Sequence, residues 1–325
     1  MTGQVDSTRI PEPIRKRLRL PLIVAPMFGV SGPALVEAAC DAGAIGAFPT
    51  INARSARELD AWLDRLGAHG ARSEGKAAPW CANVVMRDPR AAEHLECLRR
   101  TPPEIAIASV GSPRAMITAL RDKGTLVFAD VATLHHASKA VADGADGLVL
   151  LSSGAGGNTG WLNPFAFVRA VRAFWDGPIA LAGGVIDGVA LRAMETLGCD
   201  FGYSGTRFIA ASESLAGDGY RAMLKSSTMD DIMLTRAFTG LDTNMLKPSI
   251  EAAGLDPATL PFHVSETEAR LAYSSTDGPQ RWKDIWSAGH TVSGVSAVSS
   301  TREIIENILE GYNAAGRSAT GQGAR

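Results

Sequence analysis

Cysteine is scarce. Four residues (Cys40, Cys81, Cys97 and Cys199) are spread over 325 positions without a Cys-x-x-Cys pair. That spacing argues against a zinc site and against a small disulfide-stapled secreted domain, and it leaves buried reduced thiols as the expectation. An excess of one charge sign is also missing. With 32 Lys and Arg against 34 Asp and Glu, the formal net charge is −2, which gives no electrostatic footprint for nucleic acid and no polybasic membrane patch. Long apolar runs are broken wherever they begin. The uncharged stretch from Leu20 to Val36 follows Arg15, Lys16, Arg17 and Arg19, but Pro21, Pro26, Gly29, Gly32 and Pro33 interrupt it, and Asp6 and Glu12 stand upstream. A signal peptide is therefore excluded and a cytoplasmic protein expected. The stretch from Gly147 to Val168 could span a bilayer by length, yet Ser152, Ser153, Asn158, Thr159 and five glycines make it a poor hydrocarbon segment. No Gly-x-Gly-x-x-Gly dinucleotide fingerprint follows a strand.

What is present is a globular composition, with 46% hydrophobic and 20% charged residues, enough to bury a large core. Short runs rich in Val, Ile, Leu and Ala recur along the chain, each followed by a turn and then by apolar residues at helical spacing. The predicted strands are 22–25, 45–48, 82–85, 105–108, 126–129, 147–151, 179–181 and 201–203. The predicted helices are 32–43, 55–66, 89–100, 112–122, 133–143, 163–175, 187–197 and 206–225, with Ser55, Asp88, Ser112, Thr133 and Asp187 as candidate caps. The strands read as apolar runs and not as alternation, the pattern of strands buried on both faces. Eight such units favour an α/β fold of the (β/α)8 TIM-barrel type over a doubly wound open sheet. Beyond residue 225 the pattern becomes helical segments broken by Gly240, Pro248, Gly254, Pro257, Pro261 and Gly278, ending in an amphipathic helix at 301–314. The expected organisation is a barrel over 1–211, a helical insertion or lid over 212–285, and a return segment over 286–325.

Barrel enzymes build their sites on the loops after the strands. After the seventh predicted strand comes Ala182-Gly183-Gly184, and after the eighth Ser204-Gly205-Thr206, each opening a helix. Small residues there admit a phosphate to backbone N–H groups at the positive end of a helix, or they merely ease tight turns. After the sixth strand lies Ser152-Ser153-Gly154-Ala155-Gly156-Gly157-Asn158-Thr159-Gly160, too rich in glycine for a helix and long enough to line a site. The first strand ends in Ala25-Pro26-Met27, where small and rigid residues leave room for a flat ring. Asn83 on the third strand and Lys139 in the fifth helix are isolated polar candidates, Lys139 with a solvated surface role as its alternative.

In order and spacing, Ala25-Pro26-Met27, Asn83, Lys139, Gly156-Gly157-x-x-Gly160, Ala182-Gly183-Gly184 and Ser204-Gly205-Thr206 resemble the nitronate monooxygenase family, over roughly residues 20–315. Phe238-Thr239-Gly240 and the segment from Trp282 to Gly289 are similar to the family's later region. The resemblance implies an FMN-dependent barrel enzyme that turns an alkyl nitronate and dioxygen into a carbonyl compound and nitrite. It places Ala25, Pro26, Met27 and Asn83 beside the flavin ring, Lys139 near the cofactor and the two glycine turns on its phosphate, with no metal. The cofactor carries the redox chemistry and the protein positions substrate against it. One position departs from the family, whose members typically have a histidine where this chain has Asn158. Asparagine donates and accepts hydrogen bonds but takes no proton at neutral pH. Asn158 is thus expected to bind an anionic substrate oxygen, with bracing of the glycine loop as its alternative role. Of the six histidines, His290 alone sits among small residues, Ser287-Ala288-Gly289 before it and Thr291-Val292-Ser293-Gly294 after it. It is the candidate for the missing acid-base group, with a histidine that only hydrogen-bonds the lid as its alternative. His69, His94, His135, His136 and His263 are expected to be structural or exposed.

Two other functions stay open on the sequence. Flavin enoyl-thioester reductases share the barrel and accept electrons from NAD(P)H without a dinucleotide fingerprint, and a flavin-binding protein without turnover would fit the loss of the loop histidine. The expected partners are a small-molecule substrate and dioxygen, with NAD(P)H as a candidate electron donor and a homodimer as a candidate assembly.

Overall fold

The computed structural model describes residues 9–262, 264–273 and 279–319. Asp6 and His263 lie outside the described residues, as do the ends of the expected first and last segments. The chain first forms a short helix, α1 (Glu12–Arg15), and then alternates strands and helices. The barrel strands are β1 (Leu22–Val24), β2 (Ile45–Pro49), β3 (Trp80–Val85), β4 (Ile105–Ser109), β5 (Leu126–Val131), β6 (Gly147–Leu151), β8 (Ile179–Ala182) and β9 (Phe201–Ser204). They close in that order, with β9 parallel to β1 and Leu22 facing Gly202. A two-residue strand, β7 (Gly157–Asn158), lies in the loop after β6. The helices between the strands are α2 (Pro33–Asp41), α3 (Ala56–Arg72), α4 (Ala91–Arg100), α5 (Arg114–Leu120), α6 (Leu134–Ala142), α7 (Pro164–Arg172) and α8 (Gly188–Leu197). Three of the expected caps form: Ser55, Thr133 and Asp187 accept from the amides of Glu58, His136 and Ala190. Asp88 and Ser112 sit one or two residues early and hold the amides of Arg90 and Arg114 instead.

Two layers of core follow from strand alternation. Inward residues such as Ile23, Ile45, Ile105, Ile107, Phe128, Val149 and Phe201 fill the barrel. Outward residues meet the helices. Gly147 begins β6 because a Cβ there would lie 2.6 Å from the Phe128 ring. At the N-terminal end of the barrel an aspartate precedes two of the strands and caps the neighbouring one. Asp146 accepts from Val127 N at 2.8 Å, and Asp200 accepts from Ile179 N at 2.8 Å and from Arg172 at 2.5 Å.

The later third departs from expectation in detail. The helix expected over 206–225 is two, α9 (Thr206–Ile209) and α10 (Asp218–Ser226). The amides between them bond elsewhere, Ser212 N to Ser299 O and Leu215 N to Val30 O, so the helix cannot run through. The insertion carries α11 (Lys247–Ala252) and α12 (Glu266–Tyr273), and it also holds a hairpin, β10 (Ile232–Thr235) and β11 (Thr243–Leu246), where only helices were expected. β11 pairs antiparallel with β7, Thr243 opposite Asn158, so the insertion and the glycine loop form one small sheet. Residues Phe238, Met245, Ile250 and Ile285 give this part its own apolar cluster. A final helix, α13 (Thr301–Ala319), packs on α8 and α2. Among the described residues no helix is long and apolar enough to cross a membrane.

Candidate active site

A cavity of about 1610 Å³ opens at the C-terminal ends of the strands, and the insertion contributes to its walls through Arg236, Thr239, Leu241, Arg270 and Trp282. Ala25, Pro26, Met27, Asn83, Lys139, Gly156, Gly157, Asn158, Ala182, Gly183, Gly184, Ser204, Gly205 and Thr206 all line it. Positions from Ala25 to Thr206 thus meet at one mouth because they lie at the C-terminal ends of parallel barrel strands or in the loops and helix that follow them. His290 does not. Its imidazole is exposed and packs on Gly154, where a Cβ would come within 2.9 Å of His290 Nδ1. His290 is therefore not among the lining residues, although Ser287, Ala288 and Thr291 beside it are; its own N–H bonds to Gly154 O at 2.9 Å and ties the return segment to the glycine loop.

Seen singly, the small residues have different reasons to be small. Gly183 and Gly184 have φ of +101° and +105°, conformations that side chains rarely adopt. A Cβ on Gly183 would strike Ser152 Oγ at 2.6 Å, whereas one on Gly184 would meet only open space. Gly183 therefore serves loop packing, and Gly184 presents backbone to the cavity. Gly156 is pressed against the return segment, 2.7 Å from Gly289 N if it bore a Cβ. A Cβ on Gly205 would lie 3.3 Å from Met27 Sδ. The hydroxyls of the second turn are occupied inside the protein, Ser204 donating to Val185 O at 3.1 Å and Thr206 accepting from Gly289 N at 2.9 Å. The N–H groups of Gly184, Gly205 and Thr206 donate none of the turn and loop hydrogen bonds, so backbone amides and not side chains are what this wall offers an anion. That donor set fits a phosphate group.

Across the mouth, Asn158 accepts from the Thr243 hydroxyl at 3.1 Å through its Oδ1, which leaves Nδ2 as a donor toward the cavity. The brace it makes runs to the insertion and not to the loop's own backbone. Asn83 is buried, and its Oδ1 accepts from Ser109 at 3.2 Å, so its amide nitrogen is likewise available. Lys139 is exposed at the rim, as its surface alternative had it, while still facing the opening. The rim also carries Arg87 paired with Glu266 at 2.5 Å, Arg236 paired with Asp242 at 2.6 Å, and Phe28 leaning on Trp282 with ring centres 6.0 Å apart.

The largest omission of the sequence reading is Asp130. It shares the inward parity of Phe128 on β5, one layer nearer the mouth, and lines the cavity with Tyr203 and Ser109. Its Oδ1 is buried without a hydrogen-bond partner. Burial pushes the Asp130 carboxyl up to about 7, and burial likewise raises the Tyr203 hydroxyl and the Cys81 thiol, which it couples to. The signal was present in Leu126-Val127-Phe128-Ala129-Asp130-Val131, a charged residue at an inward position of an otherwise apolar barrel strand. His136 on α6 also lines the mouth; partial burial of its otherwise exposed side chain, and then His135, Lys139 and Arg87, lower its pKa.

A family model described as nitronate monooxygenase matches residues 14–311. A nitronate monooxygenase of Paraburkholderia phytofirmans is 28% identical over 308 residues, covering 79% of this chain and 83% of that protein. Among solved structures, nitroalkane oxidase from Streptomyces ansochromogenes superposes with a TM-score of 0.78 at 23% identity, covering 95% of this chain and 100% of the other. FabK from Thermotoga maritima gives a TM-score of 0.77 at 21% identity, covering 97% and 99%. Both share the barrel fold.

Proposed function

The chain belongs to the nitronate monooxygenase family, and on that premise we propose that it binds FMN in the barrel mouth and oxidises alkyl nitronates with dioxygen to a carbonyl compound and nitrite. The observation that carries the reading is the convergence of every family-like motif on one cavity, with unpaired backbone amides on one wall and amide donors on the other. When bound, the flavin supplies a two-electron acceptor for the nitronate and a donor to dioxygen. The chain's own residues do the rest. Gly184, Gly205 and Thr206 hold the phosphate through backbone N–H groups, and Ala25, Pro26 and Met27 form a flat wall beside the ring. Asn83 offers Nδ2 to the ring edge. Asn158 directs Nδ2 at the nitronate oxygens and orients the carbon, a task that needs a donor but no proton transfer. Arg236, Thr239, Leu241, Arg270 and Trp282 of the insertion wall the mouth and limit water.

The test is the visible spectrum of the purified protein, mass spectrometry of the released flavin, and anaerobic titration with an alkyl nitronate. Noncovalent FMN that bleaches with nitronate and yields nitrite on readmission of air is the expected result. Release of FAD would remove the single-phosphate assignment. Bleaching by NADPH but not by nitronate would replace the reading with that of an enoyl-thioester reductase, and bleaching by neither would leave a flavin-binding protein without turnover.

A further inference from the structure

We propose that Phe28 and Trp282 form a seat for a flat apolar substituent of the substrate, so that the site favours arylalkyl nitronates over short alkyl ones. This rests on the nitronate reading above and names a substrate class within it. Ligand pockets usually enclose about 300–1,000 Å³. This cavity measures about 1610 Å³, so a cofactor and a nitronate of a few atoms need not fill it. Several rings line it, and most of them already have partners. Tyr220 and Trp286 stack on each other with centres 4.9 Å apart, and Tyr273 packs edge-on against Phe238. Phe28 and Trp282 meet differently. Their centres lie 6.0 Å apart with the planes tilted by 51°, a wedge and not a stack, and Phe28 stays 43% exposed at the opening. A guest ring in such a wedge can meet one ring by its face and the other by its edge, the geometries that aromatic pairs favour.

Both rings are held from behind. Asn52, just after β2, commits its whole amide to the turn that carries Phe28: Oδ1 accepts from Gly29 N at 2.8 Å, and Nδ2 donates to Met27 O at 2.9 Å and to Ser31 O at 2.8 Å. Trp282 has a φ of +70°, a conformation rare for so bulky a residue. Its N–H donates to Ile285 O at 2.9 Å, and the Arg281 guanidinium before it donates to Phe238 O at 3.2 Å. Strain of this kind persists where the surroundings enforce it, and it clusters at ligand clamps. A half-exposed ring gains little stability from being fixed, whereas a ring fixed before a ligand arrives loses less freedom when the ligand binds. The seat adjoins the wall proposed for the flavin, because Phe28 follows Met27 directly and both line the cavity.

The experiment uses the flavin-loaded protein and its Phe28→Ala and Trp282→Leu variants. Anaerobic stopped-flow reduction of the flavin is followed with phenethyl nitronate and with ethyl nitronate, separating the dissociation constant from the limiting rate. In parallel, the unreactive carboxylates of matching shape, hydrocinnamate and propionate, are titrated by the visible difference spectrum of the bound flavin. In the wild type, phenethyl nitronate should be preferred by about tenfold or more in reduction rate over dissociation constant, and hydrocinnamate should bind more tightly than propionate by a similar factor. Each variant should lower both ratios by about three- to tenfold, through the dissociation constant and not the limiting rate. Should Trp282→Leu not fold, Phe28→Ala decides alone, because its ring is outside the core. No aryl preference in the wild type, or unchanged ratios in a flavin-loaded Phe28→Ala, would overturn the proposal while bleaching by ethyl nitronate kept the reading beneath it. So would an equal loss on both substrates, which would make the pair a brace for the mouth. Failure of either nitronate to bleach the wild-type flavin would instead sink that reading and this proposal together.

Discussion

Two aspartates stand at opposite ends of the same barrel and are treated in opposite ways. Asp200, just before β9 at the closed end, is bound by Arg172, by Ile179 N and at 3.6 Å by Arg9. Arg172 in turn reaches Gly198 O at 2.8 Å and Gly177 O at 2.5 Å. Asp130, at the end of β5 near the mouth, has a buried oxygen with no partner. Burying a charge is tolerable when it is paired and hydrogen-bonded, and expensive otherwise. The closed end therefore resolves its charge into structure, and the open end keeps one unresolved at the cavity. This is the division expected of a barrel in which one face serves stability and the other chemistry.

Removing the resolved charge should have the largest effect. Asp200→Ala leaves Arg172 buried without its partner and should lower stability by about 3–5 kcal/mol, read from the urea midpoint at pH 7. A loss under about 1 kcal/mol would mean that the closed end is no better resolved than the mouth. Gly183→Ala comes next. A side chain at φ +101° and 2.6 Å from Ser152 Oγ should lower stability by about 1–3 kcal/mol. Gly184→Ala shares the backbone strain but has open space, so any extra loss of FMN affinity in Gly184→Val over Gly183→Ala would mark the cavity-facing glycine.

Asp130→Asn should move stability the other way, and only at high pH. The folded carboxyl titrates at about 7, above the usual unfolded value of about 3.9. Below that lower value both states are protonated and the substitution changes nothing. Between the two the charged form increasingly disfavours the fold, and above about 7 the penalty is complete. The expected gain is roughly 1–2 kcal/mol at pH 8, reduced by the water that reaches the cavity, and near zero at pH 4. Thermal unfolding at the two pH values checks it, and an equal gain at both would dissolve the contrast with Asp200. Smallest of all is His290→Gln. With the residue exposed and not among those lining the cavity, stability should change by less than about 0.5 kcal/mol and nitronate-dependent flavin reduction by less than about twofold. A loss of its pH dependence would return His290 to the site.

Much of this was readable along the chain. Eight apolar runs between turns marked eight barrel strands, and the structure sets their ends within two residues of expectation. Strands buried on both faces have no choice but to be apolar, and capping residues such as Thr133 and Asp187 act within three residues of themselves. The glycine turns were legible for the same local reason. The sequence also placed them after successive strands, which in a closed parallel barrel brings them to one end.

What depended on tertiary structure was each small residue's neighbour and each polar residue's company. Gly183 and Gly184 are adjacent and alike in sequence, yet one faces Ser152 and the other faces the cavity. His290 had the context of a site residue, yet it is exposed and absent from the cavity lining while Ser287, Ala288 and Thr291 beside it line the cavity. The strands Ile232–Thr235 and Thr243–Leu246 read as fragments of helix because four-residue strands carry little periodicity, and the pairing of Thr243–Leu246 with Gly157–Asn158 reaches far along the chain. Asp130 was visible as an aspartate but not as an orphan. Whether a buried charge has a partner depends on groups contributed by other strands, and only barrel closure determines which of them come within reach.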